Sequence, residues 1–293
     1  MFKRIGLFIL TNILVITTIS IVMNLLGVQP YLTANGIDYQ NLLIFCFVWG
    51  MTGSLFSLAI SRIMAKWMMG VKVLPPGSAG EYNGIVEMVH NLSRGAGLSK
   101  MPEVGVYESP ELNAFATGPT KNRALVAFSS GLLRSMDRQQ IESVAAHEIS
   151  HIKNGDMVTM TLLQGVVNAF VMFFARVIGY AISKNVRAES EAMVRMIVTI
   201  FLDIALGILG SMLVMRFSRH REFRADAGAA KLAGKAGMIS ALQFLGRASG
   251  RMQEEPHASI AAFKISNRPS RFFKLLSSHP SMEERIARLN SMT

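Results

Sequence analysis

Apolar residues run along this chain in four long blocks, Ile5 to Gly27, Leu42 to Met64, Met157 to Ile182 and Met193 to Met215. Each is close to the twenty or so residues that a helix needs to cross a hydrocarbon core about 30 Å thick. Polar connectors, Val28 to Gln40 and Ser183 to Ala192, join them in pairs, so the pattern predicts two membrane hairpins and four spans. The first block is too long for the core of a signal peptide and no small-residue cleavage site follows it, so it reads as a retained anchor. The first connector carries Asp38 and no Lys or Arg, whereas Lys3 and Arg4 precede its hairpin and Arg62, Lys66 and Lys72 flank the far end. The positive-inside rule therefore puts both ends of that hairpin in the cytoplasm. In the second pair, Arg176 and Asp203 interrupt the apolar runs at similar distances from the connector, and they are expected to meet as a structural ion pair.

Between the blocks the pattern is that of a soluble domain. Pro75, Pro76 and Gly77 open it, and Tyr82, Ile85, Val86, Val89 and Leu92 recur at helical spacing, predicting an amphipathic helix over Gly80 to Ser93 closed by Gly95 and Gly97. The β-rich runs Val104 to Tyr107, Ala114 to Thr117 and Ala124 to Ser129, separated by Pro110, Gly118 and Pro119, predict a small, mainly antiparallel sheet. Asp137 with Gln140 three positions on forms a capping box at the start of the next helix. Beyond Met215, Arg216, Arg219, His220, Arg221 and Arg224 read as a collar at the membrane edge. Leu232 to Arg247 reads as helix with Ile239, Leu242 and Leu245 on one side, Ala248 to Arg271 as a mobile surface loop, and Ser281 to Met292 as a short amphipathic helix. The expected architecture is an α+β integral membrane protein. Its transmembrane hairpins occupy residues 1–70 and 157–216, and its mostly helical soluble domain is assembled from residues 71–156 and 217–293.

Composition supports the spans, since 51% of the 293 residues are hydrophobic and only 17% charged. A net charge of +11 would suggest nucleic acid for a soluble chain. Here the basic residues crowd the ends of the apolar blocks, which points to anionic lipid headgroups and away from nucleic acid. The single cysteine, Cys46, lies in an apolar run and excludes an intramolecular disulfide and a Cys-rich metal site.

The candidate chemistry sits in Ala145 to His151. His147 and His151 are four residues apart, so on a helix their rings share one face and can hold two corners of a zinc tetrahedron. Glu148, rotated by about 100°, lies beside the open corner as a candidate general base for a metal-activated water. A five-residue motif also arises by chance, so a second line of support is needed. His151 lies six residues before the third block and Glu222 seven residues after the fourth. If both helices continue past the membrane, the two side chains stand at matching height, roughly 10 Å above it. Glu222 thereby becomes a candidate third ligand, and Asp226, at i+4, a candidate partner for a ligand histidine. The alternative, an acidic face neutralising nearby arginines, loses ground once this geometry couples it to the histidines. His220 faces away from Glu222, His90 and His257 read as surface residues, and His279 reaches the site only if tertiary folding brings it there.

Taken together, His147-Glu148-Ile149-Ser150-His151, Asn154-Gly155-Asp156, Arg221-Glu222-Phe223-Arg224-Ala225-Asp226, Asn113-Ala114-Phe115-Ala116 and His279-Pro280 with Arg285 resemble the HtpX family of bacterial membrane proteases over nearly the whole chain. The resemblance implies a zincin-like, gluzincin-type endopeptidase related to the CAAX prenyl endopeptidases, with one Zn2+ per subunit. It implies residence in the inner membrane, a cytoplasmic catalytic domain, and degradation of damaged membrane proteins under stress. It also implies that Asn113, Ala114, Phe115 and Ala116 belong to an edge strand that pairs with extended substrate. In the same way it implies that His279 stands near the scissile carbonyl and that Arg285 lies against Asp226. The expected partners are polypeptide substrates, the bilayer and other membrane quality-control proteases. Two alternatives stay open, a dedicated processing enzyme for a few membrane-anchored or lipidated peptides, and a zinc-stabilised membrane adaptor that would keep the histidines without needing Glu148.

Overall fold

The structure, a computed structural model, describes residues 21, 32–33, 36–77, 79–254 and 280–292. The first expected span, 5–27, thus lies almost wholly outside the described residues, as do His257, His279 and all of the expected loop beyond Glu254. In chain order the elements begin with the short strands β1 (Leu32–Thr33) and β2 (Gly36–Ile37), helix α1 (Tyr39–Met68) and strand β3 (Lys72–Val73). Helix α2 (Asn83–Gly95) is entered through a 3-10 turn, Gly80–Tyr82, and is followed by β4 (Glu103–Tyr107), β5 (Ala114–Thr117) and β6 (Leu125–Ser129). Helices α3 (Ser130–Ser135), α4 (Arg138–Asn154), α5 (Asp156–Ser183), α6 (Ala188–Ala233), α7 (Lys235–Glu254) and α8 (Met282–Asn290) complete the described chain.

Helices α1, α5 and α6 are long and apolar enough to cross a membrane. The 28 residues of α5 extend about 42 Å at 1.5 Å per residue, against a core of about 30 Å. The chain divides into two compact units, Met1–Ala59 with Thr159–Val214, and Ile60–Val158 with Met215–Thr293.

In the first unit, glycines set how closely helices approach. A Cβ on Gly50 of α1 would lie 2.7 Å from the carbonyl oxygen of Gly165 and 2.8 Å from the nitrogen of Ala169, so α1 and α5 meet backbone to backbone. Arg176 of α5 and Asp203 of α6 meet as their positions suggested, Nη1 to Oδ1 3.8 Å. The connector between the first two apolar blocks, read as plain loop, holds the antiparallel pair β1–β2.

The second unit is built on a sheet of order β3-β4-β6-β5. Its two outer pairings are antiparallel, as expected, and the central one, β4 with β6, is parallel, so the sheet is mixed with two of its three pairings antiparallel. The reason is topological: after β4 the chain runs out to the edge, forms β5, and returns through β6 between them. Helix α4 packs against α2, α7 and β5 and is the centre of this unit. Its start is fixed as the sequence predicts, with Asp137 accepting from the Gln140 amide at 2.8 Å and the Gln140 side chain accepting from the Asp137 amide at 3.2 Å. Its own Ile149 and Ile152 share one core with Val126, Phe128, Leu132, Leu242 and Leu289, all fully buried, while Leu125 belongs to a second cluster with Val71, Tyr107 and Ala127. Arg62 and Lys66, near the end of α1, both bind Glu103 of β4, at 2.7 and 2.6 Å.

Three boundaries differ from the sequence reading, one being Gly234, at φ +93°, which separates α6 from α7 within the run Leu232 to Arg247 expected as one helix. Gly155, at φ +72°, ends α4 in the left-handed conformation, and α5 begins at the next residue, so the helix bearing the histidines is not a straight extension of the third apolar block. At the other end, residues 248–254, expected as loop, continue α7 to Glu254. Arg251, Met252, Gln253 and Glu254 are good helix formers, and a helix can continue on them without an apolar stripe.

Candidate metal centre

From Val144 to Ile152 every residue of α4 is buried except Glu148. His147 and His151 are therefore held on the inner face while Glu148 alone reaches outward. The two rings lie edge to face with centroids 4.6 Å apart, and their Nε2 atoms are 3.1 Å from each other. Glu222 of α6 closes the group, Oε2 3.5 Å from His147 Nε2 and Oε1 3.4 Å from His151 Nε2, at 1% exposure.

Behind each imidazole stands a carboxylate. His147 Nδ1 is 2.9 Å from Asp226 Oδ1, and His151 Nδ1 is 2.7 Å from Asp156 Oδ2. Asp226 is in turn gripped by both arms of Arg285, Nε to Oδ2 2.8 Å and Nη2 to Oδ1 2.5 Å, while Arg224 reaches Asp156 at 2.6 Å. Burial alone would depress both histidines. The bonds to Asp226 and Glu222 outweigh it and raise His147, and those to Asp156 and Glu222 raise His151 to about 9. Burial would likewise raise Asp226, but the Arg285 fork and His147 hold its carboxyl below the ordinary range.

The donor set fits a cation. A carboxylate at each Nδ1 makes that nitrogen the proton carrier, which leaves the Nε2 lone pairs turned toward each other and toward Glu222. Two lone pairs and a carboxylate, all within 4.8 Å, repel one another until a positive charge sits among them. Ligands 2.0–2.1 Å from a tetrahedral ion lie about 3.4 Å apart, close to the 3.1, 3.4 and 3.5 Å found here.

The family description "Peptidase family M48" matches residues 81–293, well over half of the chain. The chain belongs to peptidase family M48. It is 53% identical to the protease HtpX homolog of Bacillus subtilis (strain 168) over 299 residues, covering 99% of this chain and 100% of that one. It is 48% identical to the protease HtpX of Hydrogenovibrio crunogenus, covering 99% of this chain and 97% of that one. The crystal structure of S. mikatae Ste24p is similar with a TM-score of 0.66 at 18% identity, over 99% of this chain and 65% of the Ste24p chain. At that identity the likeness is one of fold. Membership of the family makes the protein a metalloprotease, and the buried His147, His151 and Glu222 are the group that could hold its metal.

Most of the residues singled out in the sequence come together here. Asp226 and Arg285 stand behind His147, and Asn113 leads directly into β5, one of the sheet's two edge strands. His220 is exposed, as its rotation around α6 requires. His90 is half-buried rather than a plain surface residue, its Nε2 3.2 Å from the Pro102 carbonyl. Sequence reasoning gave Asp156 and Ser129 no role at the site and read Arg224 as part of the membrane-edge collar, whereas it pairs with Asp156. Ser129 anchors the start of the edge strand, its hydroxyl accepting from Asn113 N and Leu132 N at 3.1 Å and donating to the Glu111 carbonyl at 2.6 Å. A glycine stop followed by an acid was visible at Gly155-Asp156, but an acid there ordinarily answers the dipole of its own helix. Nothing local showed it returning to His151.

Proposed function

We propose that the protein is a zinc-dependent endopeptidase of the bacterial inner membrane. In this reading four spans hold its catalytic unit on the cytoplasmic side, and it hydrolyses damaged or misfolded membrane proteins. The observation that carries the catalytic part is the contrast between Val144 and Ile152 of α4, a buried pair of imidazoles next to Glu148, the one residue of that stretch that is not buried. His147, His151 and Glu222 would hold the metal, with Asp226 and Asp156 fixing the two rings. A zinc ion bound there supplies polarisation of the scissile carbonyl and of the attacking water. Glu148 takes the proton of that water and returns it to the leaving nitrogen. Substrate binds as an added strand along β5, which pairs with β6 alone among the described strands, and this backbone pairing tolerates many side chains.

The test is Glu148→Gln in the purified full chain. Zinc content measured by elemental analysis is expected to stay at the wild-type level, while peptide hydrolysis falls by about 10²-fold or more. Near-wild-type turnover would sink the catalytic assignment, and unchanged function in cells together with lost hydrolysis would favour the adaptor.

A further inference from the structure

The unit formed by Met1–Ala59 and Thr159–Val214 contains a groove of about 730 Å³ between α1, α5 and α6. Among the described residues its polar lining comprises Ser54, Ser57, Thr161, Gln164, Asn168 and Asp203. All six lie within the apolar blocks of helices long enough to cross a membrane, Thr161 near the start of its block and the others deeper, whereas the outer face of α6 carries exposed Phe201, Ile204 and Leu209. Acyl chains cannot satisfy hydrogen-bonding groups at that depth.

The groove offers both kinds of hydrogen-bonding group. Asp203 Oδ1 is shielded from solvent, is 3.8 Å from Arg176, and accepts no hydrogen bond from the described residues. The Gln164 amide nitrogen donates to the Asn168 side-chain oxygen at 2.8 Å, which engages one end of each amide. Among the described residues the Gln164 oxygen and the Asn168 nitrogen make no further hydrogen bond, which leaves them for a partner. An occupant that matches this surface has apolar ends and, near its middle, a group that both donates and accepts. A carboxamide on a membrane helix has that form.

We propose that this groove binds a transmembrane helix of the protein to be cleaved and favours one with Asn or Gln near its midpoint. The inference rests on the protease reading above and narrows its substrate class. Helices of this kind insert poorly, so the groove would sort membrane proteins by a defect of the span itself, apart from the sequence cleaved at the metal centre.

The test uses the full chain carrying Glu148→Gln in phosphatidylethanolamine–phosphatidylglycerol vesicles, with a photoactivatable residue at Ser57 in the groove or at the exposed Ile204. The probes are two single-span leucine-alanine helices that differ only in a central Asn or Leu. Crosslinking from Ser57 should favour the Asn helix about three- to twentyfold, in keeping with interhelical hydrogen bonds measured in membranes, and from Ile204 should show no preference. The preference should vanish in Asp203→Leu. The double variant Gln164→Leu/Asn168→Leu, which leaves the Arg176 pair intact, should also lose it and guards against misfolding of the first. Equal labelling of the two helices would overturn the proposal. So would labelling of lipid alone, or of the chain's own residues 5–27, which carry Asn12 and Asn24. Crosslinking needs no turnover, so loss of the protease reading and loss of this one are distinguishable.

Discussion

His151 Nδ1 stands 2.7 Å from Asp156 Oδ2 across a helix boundary, because the left-handed Gly155 turns the chain so that the first residue of α5 backs the last histidine of α4. Asp156 is fully buried and also takes Arg224 at 2.6 Å, so its charge is balanced and its position fixed.

Asp156→Asn therefore should weaken metal binding by about 10- to 100-fold, the usual effect of disturbing the partner of a ligand histidine. Competition against a chelator of known affinity measures it. An unchanged affinity would show that Asp156 only pairs with Arg224.

Removing a ligand should cost far more than removing a neighbour. Glu222→Ala is expected to empty most of the metal from folded protein, whereas the exposed His220→Ala leaves occupancy unchanged. Equal occupancy in wild type and Glu222→Ala would refute the assignment.

Arg285 binds Asp226 through two nitrogens at a site where both are buried. Arg285→Ala leaves that carboxylate in low dielectric without its cation and should destabilise the protein by about 3–5 kcal/mol. Arg285→Lys restores the charge but not the fork and should fall between. Thermal unfolding in detergent at matched metal content separates the three.

The response to pH should reverse when the metal is removed. In the chelated chain His151 is raised from 6.5 to about 9 by its carboxylates. A raised folded pKa contributes stability that is complete below about pH 6.5 and is lost as pH rises through about 9. In the metal-loaded chain the same nitrogens must be deprotonated, so stability is lost as pH falls. Melting temperatures of the two forms between pH 6 and 10 should slope in opposite directions, and parallel slopes would contradict the arrangement.

Local chemistry made much of this legible from the sequence. The Asp137–Gln140 capping box, the β-rich runs and the i, i+4 histidines are each decided within a few residues, and each is found where the pattern put it. The Arg176–Asp203 contact followed from counting outward from a connector. What escaped depends on distant chain. The parallel pairing of β4 with β6 is decided by where β5 lies, and the role of Asp156 by how sharply Gly155 turns. Equal height in the second hairpin led to Glu222, yet α4 and α5 are separate helices, so the site is formed by the packing of α4 and not by one continuous rod.

The edge strand β5 is only four residues long, with Pro110 upstream and Gly118-Pro119 directly after it. A strand that short forms few backbone bonds to a visitor, each worth about 1 kcal/mol net. With substrate paired along β5 as proposed, grip would be traded for speed of departure: the two product ends would share those few bonds after scission and would leave quickly. The same brevity deprives other copies of the chain of a template on which to grow an intermolecular sheet.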